Sequence, residues 1–242
     1  MRRLVLAGTL VVWSLLAHAG TLDDMELRSN VETLIRGSAQ TANLHLKIQV
    51  ENHVAIPEGV VHDLNQADDV ALLASKVRGI TSVDRAKLRL EYAPPGDDVL
   101  AGRVSRTLVA LPRYDALNVA VAGGVVTLTG TIKNASWRGE IRKICGAIEG
   151  VAELVDRIET PVTPDERIQK ALNAVFGPRV VPRFPGRVRA VAKEGVVILE
   201  GQVPRLHDKE AAEHGVWGLN GVHRVDNRLE LGSGTTIQVI QP

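Results

Sequence analysis

A single cysteine, Cys145, stands in 242 residues, so no intramolecular disulfide can brace this chain. It lies in the apolar helical run IRKICGAI, which places it as a small buried hydrophobe; an intermolecular disulfide or reactive thiol is the alternative. Phe, Tyr and Trp make up only 3% of the chain, so its cores must be aliphatic. The motifs of the common enzymes are missing too. There is no His-Glu-x-x-His, no Gly-x-Ser-x-Gly, and no lysine motif after the Gly123-Gly124 doublet. Of the seven histidines, His207 and His214 share one predicted helix, but a rise of about 10 Å separates them. That is too far for one ion, and a catalytic zinc needs three protein ligands. The acidic pairs Asp23-Asp24, Asp68-Asp69 and Asp97-Asp98 fall near predicted helix starts, where they satisfy amide donors and favour the dipole. The expectation is a non-enzymatic chain with no cofactor and no metal.

Charge of one sign is lacking as well: 29 Lys and Arg face 28 Asp and Glu. Nucleic acid is therefore not an expected partner. No run of the length needed to span a bilayer occurs. Residues 1–19, MRRLVLAGTLVVWSLLAHA, read instead as a signal peptide. Arg2 and Arg3 form the basic end, Leu4 to Leu16 the apolar run, and Ala17-His18-Ala19 the cleavage site. Export to the periplasm with cleavage after Ala19 is the expectation.

What the chain has is a hairpin used three times. Val119 to Gly130, VAVAGGVVTLTG, alternates β-branched residues around two glycines. Val188 to Gly201, VRAVAKEGVVILEG, repeats it, and Ile48 to Gly59, IQVENHVAIPEG, is a degenerate copy. Gly124 and Gly130 are six residues apart, as are Gly195 and Gly201; Gly130 to Gly150 and Gly201 to Gly221 are each twenty. In the first copy the matching positions are read as Asn52, Glu58 and Gly79, with one residue inserted before Gly79. Such self-similarity marks a repeat architecture.

Each unit reads α-β-β-α-β, an α+β class: a three-stranded mixed sheet with two helices on one face. The expected division is domain 20–95, domain 96–162, domain 163–232 and a tail 233–242, in which Thr235 to Ile240 either adds an edge strand or dangles. Units of about 70 residues bury little apolar area, so packing between them is expected to matter. In unit one, Asp23 or Asp24 caps a helix carrying Leu27, Val31, Leu34 and Ile35, and a second helix spans 67–78. Pro57 is awkward for a central strand. In unit two, Asp97 or Asp98 caps a helix carrying Val99, Val104 and Leu108. Ser136 caps the second, where Glu140 can pair with Lys143. Gly79, Gly124, Gly130, Gly150, Gly195, Gly201 and Gly221 are expected to set turns and element ends.

Gly124-Val125-Val126-Thr127-Leu128-Thr129-Gly130 followed by Gly150-Val151, Leu154, Asp156 and Ile158 resembles the BON family (bacterial OsmY and nodulation). Gly195 to Gly201 with Gly221-Val222, Val225, Asn227 and Leu229 resembles it equally; unit one, with Glu58-Gly59, Gly79-Ile80 and Val83, does so more weakly. The resemblance implies an exported or envelope-associated, non-enzymatic protein linked to osmotic protection and to phospholipid membranes. A protein-protein assembly module in an envelope complex is the alternative.

The candidate contact surface lies in unit three. Arg179, Arg183, Arg187 and Arg189 fall within eleven residues, with Phe176 and Phe184 interleaved. Basic side chains beside an apolar wedge suit anionic lipid headgroups. Trp137 and Arg138 form a smaller candidate in unit two, whereas Trp217 reads as core.

Overall fold

A computed structural model describes residues 22–93, 95–114, 116–176 and 187–232. Unit one comprises α1 (Leu22–Gly37), β1 (Lys47–Glu51), β2 (Val54–Val61), α2 (Leu64–Ser75), β3 (Ser82–Val83) and β4 (Leu88–Leu90). Unit two comprises α3 (Asp97–Val109), β5 (Leu117–Ala122), β6 (Val125–Thr131), α4 (Arg138–Gly146) and β7 (Glu153–Glu159). Unit three comprises α5 (Asp165–Phe176), β8 (Arg187–Lys193), β9 (Val196–Val203), α6 (Leu206–Trp217) and β10 (Arg224–Leu231). In every unit an antiparallel hairpin forms two strands. The closing strand then pairs parallel to the second, giving the expected mixed sheet.

The turns fix the phase of the repeat. Asn52-His53, Gly123-Gly124 and Glu194-Gly195 each place two successive residues at positive φ, the geometry that matches the twist of a two-residue hairpin. His53, Gly124 and Gly195 are therefore equivalent, 71 residues apart, and so are Gly59, Gly130 and Gly201. The match to Asn52 and Glu58 was off by one, and no residue is inserted before Gly79. The insertion lies in the closing strand: Val54 pairs with Ser82 but Gly59 with Leu88, so the separation grows from 28 to 29. Pro57 explains the position. Ala55 O accepts from Asp84 N and Gly59 N donates to Lys87 O. Pro57, between them on that edge, has no N–H to give. The closing strand departs there and returns as β4.

Several local expectations change in the same way. Asp24 and Asp97 lie inside their helices and reach the hairpin turns. Asp24 accepts from Asn52 N and His53 N, Asp97 from Gly123 N, and Asp165 from Glu194 N and Gly195 N. Each first helix thus clasps the tip of its own hairpin. Helix α2 starts three residues early because Asp63 caps it, accepting from Gln66 N at 2.8 Å. Asn134, not Ser136, caps the 3-10 turn Ala135–Trp137 that leads into α4. Leu100 is buried beside Val104 and Leu108, while Val99 is half exposed. Glu140 pairs with Arg113 at 2.9 Å instead of with Lys143.

Three aliphatic cores result, and they interlock. Leu64 begins α2 of unit one but packs in the core of unit two. Leu206, its equivalent in α6, packs in the core of unit one, where Leu231 joins it. Ala135, the third equivalent, donates its N–H to Asn220 Oδ1 of unit three at 2.7 Å. In each seam the start of one second helix meets the end of the next: α2 on α4, α4 on α6, α6 on α2. The three units close head to tail, a heterologous interface that completes itself at three.

Polar locks hold two of the seams. Between units one and two, Arg142 donates twice to Asp68, both at 2.9 Å, and Asn65 Nδ2 donates to Lys143 O. Between units two and three, the Asn220 amide bridges Ala135 N and Lys133 O, and Gly221 N donates to Thr160 Oγ1.

Candidate functional site

Alternation along β8 sends Val188, Ala190 and Ala192 onto the third core. Arg189, Val191 and Lys193 therefore stand on the opposite, outer face, and all three are exposed. Register supplies the rest of that face. Val191 lies opposite Ile198, Arg189 opposite Glu200, and Lys193 opposite Val196. Across β9, Arg224 pairs with Val196, Asp226 with Ile198 and Arg228 with Glu200. The result is an apolar strip of Val191, Val196 and Ile198 with cations around it.

The charges on this face are not equivalent. Arg228 is satisfied, 2.6 Å from Asp226 and 3.7 Å from Glu200, which holds its guanidinium above its ordinary value. Arg189, Lys193 and Arg224 make no ion pair among the described residues. Glu194 in the turn and Glu230 at the far end are the remaining carboxylates nearby. The matching hairpin face of unit two carries Asn118, Ala120, Ala122 and Thr129, with no charge at all. The outer hairpin face is thus cationic in unit three where that of unit two is uncharged.

Of the arginines singled out in the sequence, Arg189 is on this face and Arg187 occupies the same strand. Arg179, Arg183 and Phe184 lie outside the described residues. Phe176, at the end of α5, packs against the third core. Lys193 and Arg224 escape a linear reading because only strand pairing brings them together.

Trp137 and Arg138 are used differently. Trp137 meets Tyr114 edge to face at 6.1 Å, and Arg113 lies over both rings. Burial, with Glu140 beside it, pushes the Tyr114 hydroxyl up to about 12. The Arg138 side chain, only 11% exposed, binds Asp156 at 2.8 Å and donates to Ile158 O. Its guanidinium lies 5.5 Å from the Trp217 ring of unit three. Arg138 therefore helps join two units and does not stand on an exposed basic face. Trp217 packs on the third core, half-buried.

The seven glycines named above all have positive φ. Gly130 shows most clearly why: a Cβ there would run into the Ala116 carbonyl oxygen. Asp156 Oδ1 accepts from Ile158 N and Asn227 Oδ1 from Leu229 N. This gives a physical role to the acidic or amide residue of the closing-strand motif. Cys145 is fully buried, and burial alone pushes its thiol up to about 11. Among the described residues no three His, Cys, Asp or Glu side chains converge to hold a metal, and no helix is long and apolar enough to cross a membrane.

Comparison with known proteins places this architecture. No curated protein matches the chain. Among solved structures, the C-terminal domain of CdsD, a structural protein of the type III secretion system of Chlamydia trachomatis, is 14% identical. The match covers 87% of this chain and 99% of that one, with a TM-score of 0.24. The PrgH periplasmic domain is 8% identical over 80% of this chain and 98% of that one, at 0.20. Likenesses this loose support no inference about fold or partner. The BON domain profile, in contrast, matches residues 23–92, 96–161 and 164–233. BON domains are non-catalytic modules, typically of the cell envelope. With three copies spanning nearly all of its described residues, the chain belongs to the BON domain family.

Proposed function

We propose that this chain is a non-enzymatic periplasmic protein, freed by cleavage after Ala19, that docks on anionic phospholipid and supports envelope integrity under osmotic stress. The carrying observation is the outer face of the third sheet, where Arg189, Lys193 and Arg224 surround Val191 and Ile198 without ion-pair partners among the described residues. Cations free of internal partners keep their full attraction for phosphate, and the apolar strip suits the headgroup boundary. Arg187 on the same strand, and Arg179, Arg183 and Phe184 just before it, extend the basic character in sequence. Arg138 acts here by fixing unit two against unit three, and Trp137 by packing within unit two.

Liposome co-sedimentation tests the reading. Binding should rise with phosphatidylglycerol content and fall with salt. Each nearby cation is worth about 1 kcal/mol, so Arg189→Glu with Lys193→Glu should weaken binding more than tenfold. Absence of binding across the lipid series refutes the proposal; retention of one envelope protein in its place supports an assembly role.

A further inference from the structure

We propose that the seam between units three and one is the joint at which the ring of units opens, and that protonation of His207 opens it. The other two seams join units that are consecutive in the chain, so short linkers, 91–96 and 160–164, keep their faces together. The third seam has no such tether. Unlike the other two, it is crossed by no hydrogen bond or ion pair among the described residues. Leu206 fills unit one's core, and Glu210 stands beside Ser75 across the seam. His207, next to Leu206, has a buried Nδ1 with no partner among the described residues.

The surroundings of His207 decide the sign. Lys76, at the end of α2, faces it from unit one. On its own side stand Arg205, Asp208 and His214. Asp208 is the only carboxylate among these, and it is already bound by Arg205 at 2.8 and 2.9 Å. A proton on His207 would therefore add a cation beside Lys76 while Asp208, the carboxylate next to it, is already engaged by Arg205. Burial first, and then Lys76, hold the imidazole below its ordinary 6.5. A base held low in the closed form favours closure above its ordinary value. That preference is lost as pH falls toward the closed-form value, by up to about tenfold in the closed-to-open ratio per pH unit. Glu210, near Arg85, Glu213 and His214, works in the other direction. Burial raises its carboxyl, so its protonation favours the closed form at lower pH. The opening window lies between the ordinary histidine and carboxylate ranges.

Spin labels at Val60→Cys and Val191→Cys, both exposed sites on units one and three, report the seam directly. Buried Cys145 stays unlabelled. The full chain, free of lipid, should give one distance population at pH 7.5 and a second, longer one at pH 5.5. His207→Gln should keep the single population at both. An unchanged distribution in the parent, or equal opening in His207→Gln, overturns the proposal. Should His207→Gln fail to fold by circular dichroism, Lys76→Gln takes its place: less opening at pH 5.5 supports the joint, and unchanged opening overturns it.

Discussion

Truncating Leu64 to alanine is the sharpest test of the interlocked cores. Leu64 belongs to unit one by sequence and is 4% exposed, yet the buried cluster it joins is that of Leu100, Val104, Ile141 and Cys145 of unit two. Removing three buried carbons costs about 2.4 kcal/mol in transfer free energy, and the cavity left behind brings the total to about 3 kcal/mol. If the three units melt together, that loss lowers the midpoint of a chain this size by about 6–12 °C, whereas a lone 70-residue unit would fall by about 12–24 °C. Differential scanning calorimetry should show one transition, moved by the smaller amount. Hydrogen exchange should then rise in α4 and β7 as much as in α2. Val99→Ala, at a half-exposed site in α3, is the control and should move the midpoint little. Two separate transitions, or faster exchange confined to unit one, would refute the reasoning.

Gly130→Ala should cost about 2 kcal/mol or more in urea denaturation, since its φ is +113 and the obstacle is the backbone oxygen of Ala116, which cannot swing away. Gly102→Ala does the opposite: it lies inside α3 with open space around it, so helix propensity should add about 0.5–1 kcal/mol by the same assay. Asp165 is held below the ordinary carboxylate range by the amides of Gly195 and then Glu194. A depressed carboxyl stabilises above its unfolded value and loses that contribution as pH falls through its folded value. Amide protection at Glu194 and Gly195, taken relative to the intrinsic rate at each pH, should therefore fall in acid, Asp165→Ala should reproduce the loss at pH 7, and equal protection in both proteins would sink the clasp.

The hairpins, the helix-stopping glycines and the α-β-β-α-β order were legible because each is written in local chemistry: period-two β-branched runs, turn doublets, a glycine where a side chain cannot fit. The phase of unit one was not. Its turn uses Asn52 and His53, two L residues that accept positive φ, and no glycine marks the spot. Asp24, Asp97 and Asp165 carried an ambiguous signal, since an acid at a helix start is as ready to bind a distant turn as its own amides. The ring was hidden for a different reason. Leu64, Ala135 and Leu206 look like ordinary first residues of helices, and nothing local tells a side chain facing its own core from one facing a neighbour's. The basic face likewise needed β8 and β10 laid on either side of β9 before Lys193 and Arg224 could be seen together.

The sheet edges have a consequence for how the chain reaches this structure. On β8 the Gln169 side chain donates to Ala190 O and accepts from Ala192 N, occupying the places a further strand would take. On the opposite edges, Asp156 and Asn227 bind the outward amides of Ile158 and Leu229. Three similar sheets in one polypeptide meet each other during folding at high local concentration, and strand exchange between repeats is the characteristic error of such chains. An amide or carboxylate already seated on the edge occupies the groups an exchanged strand would need, and so disfavours that error in units two and three.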